Sequence, residues 1–139
     1  MIANTYYDFT FVSLHYPIFN SALTGIDILS DEALLFHEYE VEAVFSGHNH
    51  YYAHEEIRQN NGSDVTYVIS GGGGAVLDPF PQFYEYNNNY SLGLYGETIY
   101  TESLYHYNKI DMDATNDIAT FTAYDLSNNI VEQFTINKH

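Results

Sequence analysis

Positive charge is the scarcest feature of this 139-residue chain. Three basic side chains, Arg58, Lys109 and Lys138, stand against 19 Asp and Glu, for a formal net charge of −16. That balance argues against nucleic-acid binding, since no Lys/Arg cluster exists to meet phosphates, and an anionic membrane surface would repel the chain. A phosphate-bearing ligand would approach only where bound cations inverted the local field. Cysteine is absent, which removes disulfides, thiolate metal sites and a cysteine nucleophile. Any metal would have to be held by His, Asp, Glu, Asn or Tyr. No apolar run is long enough to span a bilayer. The first basic residue is Arg58, so the N-terminus lacks the positive start of a secretory leader and none is expected. Hydrophobic residues make up 45%, which belongs to a folded domain rather than a disordered tail.

What is present reads as strands around one helix. The run DFTFVSL, Asp8 to Leu14, predicts a strand buried on both faces and stopped by Pro17. ILSDEALLFHEYE predicts a helix capped by Ser30, with Asp31 and Glu32 in its positive first turn and a stripe of Leu34, Leu35 and Tyr39. VEAVFS, Val41 to Ser46, predicts a second strand, and strand–helix–strand is a parallel crossover. YYAHEEIR extends to the turn QNNGSD, and VTYVIS, Val65 to Ser70, is a further strand closed by four glycines. Ala75 to Tyr100, rich in Tyr, Asn, Pro and Gly, reads as one long loop. The tail alternates in three strands, LYHYNKIDM, IATFTAYDL and NIVEQFTIN, separated by the turns DATND and SNN, which predicts an antiparallel meander. The expected class is α/β passing into antiparallel β, an α+β arrangement.

Two histidine-bearing segments carry chemistry. VSLHYP places His15 directly after a buried strand, and SGHNH places His48 and His50 after another. Residues at the carboxyl ends of parallel strands meet at one edge of a sheet, and neutral imidazole ligates Zn, Fe and Ni. SGGGGA follows a strand as a phosphate cradle would, but no Lys-Ser/Thr pair and no third glycine of a dinucleotide fingerprint follows. Gly71, Gly72 and Gly73 are therefore expected to permit a close backbone approach, and Gly47 a sharp turn.

In order and spacing, VSLHYPIFN, VEAVFSGHNHYYAHEE, VTYVISGGGGA and the closing YHYNKIDMD…IATFTAYDL…IVEQFTI resemble the C-terminal half of a calcineurin-like metallophosphoesterase of the purple acid phosphatase type. The resemblance implies that residues 1–139 are part of such a domain, a β-sandwich flanked by helices and ending in an antiparallel meander. It implies hydrolysis of phosphate esters at a dinuclear centre of Fe, Zn or Mn. His15 and His48 would bind one ion and His50 the other, with Asn49 between them. Tyr52 fills the family's aromatic place, and His54 stands where members carry an arginine, implying a loop-supporting or substrate-facing role.

The family's remaining motifs, D-x-H, G-D-x-x-D and G-N-H, occur nowhere in the sequence. Two cations about 3.5–4 Å apart need a bridging carboxylate to offset their repulsion, and three neutral imidazoles provide none. At most one weakly held ion is expected, with catalysis requiring a second polypeptide to supply the missing half. Without that half, the strand ending at Leu14 is expected to have an unpaired edge. The alternatives are a non-catalytic binding or structural half-domain, favoured by 15 tyrosines suited to contact surfaces, and a degenerate gene fragment.

Overall fold

Three runs of β-branched and aromatic residues lie side by side in parallel and set the frame of the molecule. In the computed structural model, which describes residues 9–19, 30–60, 62–79, 85–89 and 93–138, these are β1 (Phe11–Ser13), β2 (Ala43–Ser46) and β4 (Asp64–Ser70). Helix α1 (Ser30–Glu38) joins β1 to β2, giving the expected parallel crossover. β3 (Tyr52–Gln59), β5 (Glu85–Asn89) and β6 (Leu94–Glu102) complete a six-stranded sheet in the order β1-β2-β4-β3-β6-β5, with β3 antiparallel to β4 and β6. The tail forms a second sheet, the meander β7 (His106–Asp113), β8 (Ile118–Asp125) and β9 (Ile130–Asn137).

The first sheet is covered on both faces. Alternate residues of its strands, Val44, Ile57, Val65 and Tyr67, meet Ala33 of α1 and the loop residues Ile18 and Phe19. The opposite set, Ala43, Tyr52 and Val68, meets Ala119, Phe121, Ala123 and Ile136 of the meander. A period of two therefore builds two cores from one sheet. The class is a β-rich α+β fold with one short helix among the described residues. The phosphoesterase-specific description, with several flanking helices, is not reproduced there.

Three expectations need correction. The span read as one loop from Ala75 to Tyr100 contains β5 and most of β6. Gly96 hid that strand: a Cβ there would lie 2.1 Å from the Glu56 carbonyl oxygen, so the glycine marks close backbone approach inside a ladder rather than a loop. The helix buries Ala33 and His37, with Leu34 and Phe36 half-buried, whereas Leu35 and Tyr39 are exposed. β1 is shorter than the apolar run and half-buried rather than buried on both faces, and it lies at the sheet edge; Asp8 lies outside the described residues. Its start is secured by the buried Glu42, whose carboxylate accepts the Thr10 N–H at 2.6 Å.

Truncating Phe121, fully buried between the sheets, is expected to cost about 3–5 kcal/mol in a denaturant titration. Leu35→Ala, on the exposed helix face, is expected to stay within about 0.5 kcal/mol of the parent.

Candidate functional site

The carboxyl ends of β1 and β2 are adjacent in register, so the residues that follow them meet. His15 and His48 do: His48 Nδ1 and His15 Nε2 are 3.3 Å apart, and Tyr16 lies 4.2 Å from the His48 ring. Both imidazoles are exposed. His48 carries the turn, with φ of 65°, in the left-handed region, rather than Gly47 as expected. The loop doubles back tightly: Asn49 N–H donates to the Gly47 carbonyl at 2.7 Å, and Tyr51 N–H to the Asn49 carbonyl at 2.9 Å. Gly71 is the price of that compactness, because a Cβ there would fall 1.8 Å from the Asn49 oxygen. Gly72 likewise faces Leu104 and His106, while Gly73 has open space. Asn49 Nδ2 donates to the Tyr51 hydroxyl at 3.2 Å.

His50 is turned to other partners. Its Nδ1 is 2.8 Å from the Val76 carbonyl, to which it donates, and its backbone N–H donates to Asp78 Oδ2 at 2.7 Å. Two imidazoles in contact, with no carboxylate among their hydrogen-bond partners, do not fit a pair of cations. Among the described residues no three His, Asp or Glu side chains are grouped to hold a metal ion. The expected metal-binding character is corrected on that ground.

His54, expected to support the loop or face substrate, lies within β3. It is buried between the sheets, where its ring stacks on Phe134 at 3.8 Å. Nδ1 donates to Glu132 Oε1 at 2.9 Å and Nε2 to Glu56 Oε1 at 2.8 Å. Tyr52 O–H donates to the other Glu132 oxygen at 2.6 Å, and Thr66 O–H to Glu56 at 2.9 Å. Burial works to lower the His54 pKa, but the hydrogen bonds to Glu132 and Glu56 outweigh it and raise it to about 9. Burial, then Glu132, pushes the Tyr52 phenol far above its ordinary range. The arginine position of the resemblance is thus filled by an imidazolium that ties β3 to β9. Sequence reasoning had no means to find Glu132, 78 residues away.

A second buried histidine is His106. Burial lowers its pKa, so it stays neutral and donates from Nδ1 to the Leu104 carbonyl, while Nε2 accepts from Ser70 O–H at 3.0 Å. Asn108 Nδ2 donates in turn to Ser70 Oγ at 2.7 Å. This chain of bonds pins the start of β7 to the end of β4.

These features define a two-sheet, β-rich α+β protein whose polar clusters join its layers. No family model matches the sequence, and no curated protein matches it. Among solved structures, the chain is similar to GAP50, the anchor in the inner membrane complex of Plasmodium, with a TM-score of 0.67 and 18% identity. The likeness covers 95% of this chain and 37% of that one, so the chain spans little more than a third of that structure's length. At this identity the match shows the fold. The comparisons do not bear out the expected membership in the metallophosphoesterases or the expected phosphate-ester hydrolysis: the structure that shares the fold is described as an anchor, and no family model matches the histidine motifs. No helix among the described residues is long and apolar enough to cross a membrane.

A folded-state pKa near 9, above the unfolded value near 6.5, means that the His54 clamp stabilises fully below about pH 6.5 and is lost as pH rises through 9. Denaturant midpoints are expected to fall over that window by an amount equivalent to about 3 kcal/mol, and His54→Gln is expected to flatten the fall. In the glycine pair, Gly71→Ala is expected to destabilise by more than 2 kcal/mol, roughly the scale of forced overpacking, whereas Gly73→Ala is expected to be nearly neutral.

Proposed function

We propose that this chain is a non-catalytic structural and binding module, an anchoring piece of a larger assembly rather than a hydrolase. The observation that supports it is the partner set of the histidines. His15 and His48 face each other, His50 is held by the Val76 carbonyl, and His54 is consumed in joining the sheets. None of the four is positioned with a carboxylate in a cleft where an attacking water would be activated. The three histidines whose rings meet carboxylates or hydroxyls, His37, His54 and His106, are all buried.

Likeness over 95% of the chain to a structure described as a membrane-complex anchor points the same way. The surface suits the role. Tyr16, Tyr39, Tyr95, Tyr105 and Tyr107 are all exposed, and tyrosine presents a large, stiff, amphipathic face at low entropic cost. The net charge of −16 favours neutral or cationic partners over anionic ones.

The test is direct. The purified chain, incubated with p-nitrophenyl phosphate and Zn²⁺, Mn²⁺ or Fe³⁺, is expected to unfold cooperatively in a parallel melt yet release nitrophenol at the buffer rate. His48→Ala is expected to change neither. Turnover that His48→Ala removes would sink the proposal.

A further inference from the structure

The two sheets part beside the carboxyl ends of β1, β2 and β4. A cavity of about 370 Å³ lies there, with Leu14 and Phe45 on the six-stranded side and Ile110 and Phe121 on the meander side. Phe45 and Phe121 stack on each other at 5.8 Å and 11°, so the two rings make one continuous aromatic wall. Sites for small organic molecules commonly enclose about 300–1,000 Å³, and the cavity falls in that range. None of the described residues lining it is charged. An ion entering it would lose hydration without gaining a counter-charge.

Ser46, Ser70 and Asn108 also line the cavity, and their hydrogen bonds determine what they still offer. His106 Nδ1 lies 3.1 Å from the Leu104 carbonyl and can only donate to it, so Nε2 is the bare nitrogen. Ser70 O–H therefore donates to Nε2 at 3.0 Å, and its oxygen accepts from Asn108 Nδ2 at 2.7 Å. That sequence of bonds fixes the Asn108 amide, with its NH₂ toward Ser70 and its Oδ1 turned elsewhere. Asn108 Oδ1 is shut off from solvent and has no hydrogen-bond partner among the described residues. Ser46 O–H is given to the Val68 carbonyl at 3.3 Å, so its oxygen too remains only an acceptor. Both hydroxyl hydrogens are spent inside the protein, and the unmet group is an acceptor, which is costly to leave buried and unpaired.

We infer that this cavity is a binding site for an uncharged aromatic molecule bearing one hydroxyl or N–H donor, with its ring against Phe45 and Phe121 and its donor on Asn108 Oδ1. Apolar walls supply the burial, the absence of charge selects a neutral ligand, and the orphaned oxygen selects a donor over an acceptor. The site goes beyond the module reading and does not depend on it.

The probe is 2-naphthol. Its methyl ether, 2-methoxynaphthalene, keeps the rings and lacks the donor, and 2-naphthoate keeps the rings and adds a charge. Each is titrated into the intact chain, and the resonances of Ile110 and Phe121 are followed. 2-Naphthol is expected to shift them saturably. The ether is expected to bind at least about tenfold more weakly, because it leaves Asn108 Oδ1 unpaired. The carboxylate is expected not to bind. Asn108→Leu is expected to bring naphthol and ether to equal affinity, an effect on selectivity that a general loss of structure would not produce. Ile110→Trp, which fills the cavity, is expected to abolish binding of both. If either variant fails to fold, the three ligands on the parent chain decide the question. The inference is overturned if 2-naphthol leaves Ile110 and Phe121 unmoved up to its solubility, which would make water the occupant. It is equally overturned if the ether or the carboxylate binds as tightly as naphthol, or if a folded Ile110→Trp chain binds naphthol unchanged. Phosphate-ester turnover would overturn the module reading and leave this site standing.

Discussion

A column of stacked rings holds the two sheets in place. Phe45 of β2 lies against Phe121 of β8 at 5.8 Å and 11°, Phe121 against Phe134 of β9 at 4.8 Å, and Phe134 against the His54 ring of β3 at 3.8 Å. Each ring comes from a different strand, so the column fixes how the meander sits over the six-stranded sheet. Aromatic stacking adds to the transfer of large apolar surface out of water. Its last member is an ion. The imidazolium of His54 tolerates burial because Glu132 approaches from the second sheet and Glu56 from its own strand, and both acceptors are themselves hydrogen-bonded. Removing His54 would leave two part-buried carboxylates without their shared cation, which costs far more than such a pair is worth in surface settings.

This constraint accounts for the fate of the motif histidines. The segment Gly47–Tyr52 runs from a loop at a strand end into the sheet interior within six residues. His48 stays outside, His50 half-turns to the Val76 carbonyl, and Tyr52 and His54 go inward because β3 alternates. A period of two sends Tyr52, His54 and Glu56 to the meander face together, and all three join one network. The cluster with the most perturbed protonation is thus structural cement rather than a catalytic centre, a reminder that ion-pair networks perturb pKa values as readily as active sites do.

The same architecture leaves one side unfinished. The sheets are locked together where β9 crosses β3, and they part beside β1, where an edge strand only three residues long borders a cavity. Short edge strands limit promiscuous pairing. Tyrosines on the outer surfaces and a net charge of −16 suit the proposed role as a binding module.

Much of the layout was legible in the chain itself. Alternation in the tail determined three strands and their turns, the apolar runs before His15 and His48 determined two parallel neighbours, and the crossover rule brought those histidines to one edge. These are local patterns, or consequences of chain connectivity. Tertiary structure alone decided the rest. Gly96 lies in a strand because another backbone passes 2.1 Å from where its Cβ would be, and nothing in its neighbours announces that approach. His54 became a buried cation because of a glutamate 78 positions later, and the helix turned Ala33 and His37 inward, rather than the stripe through Leu35 and Tyr39, because the sheet beneath offered them its groove. A side chain's chemistry is written in its type, but its protonation and its role are set by partners that only folding brings within 3 Å, which is why motifs that resemble a hydrolase's sit here on a fold shared with an anchor.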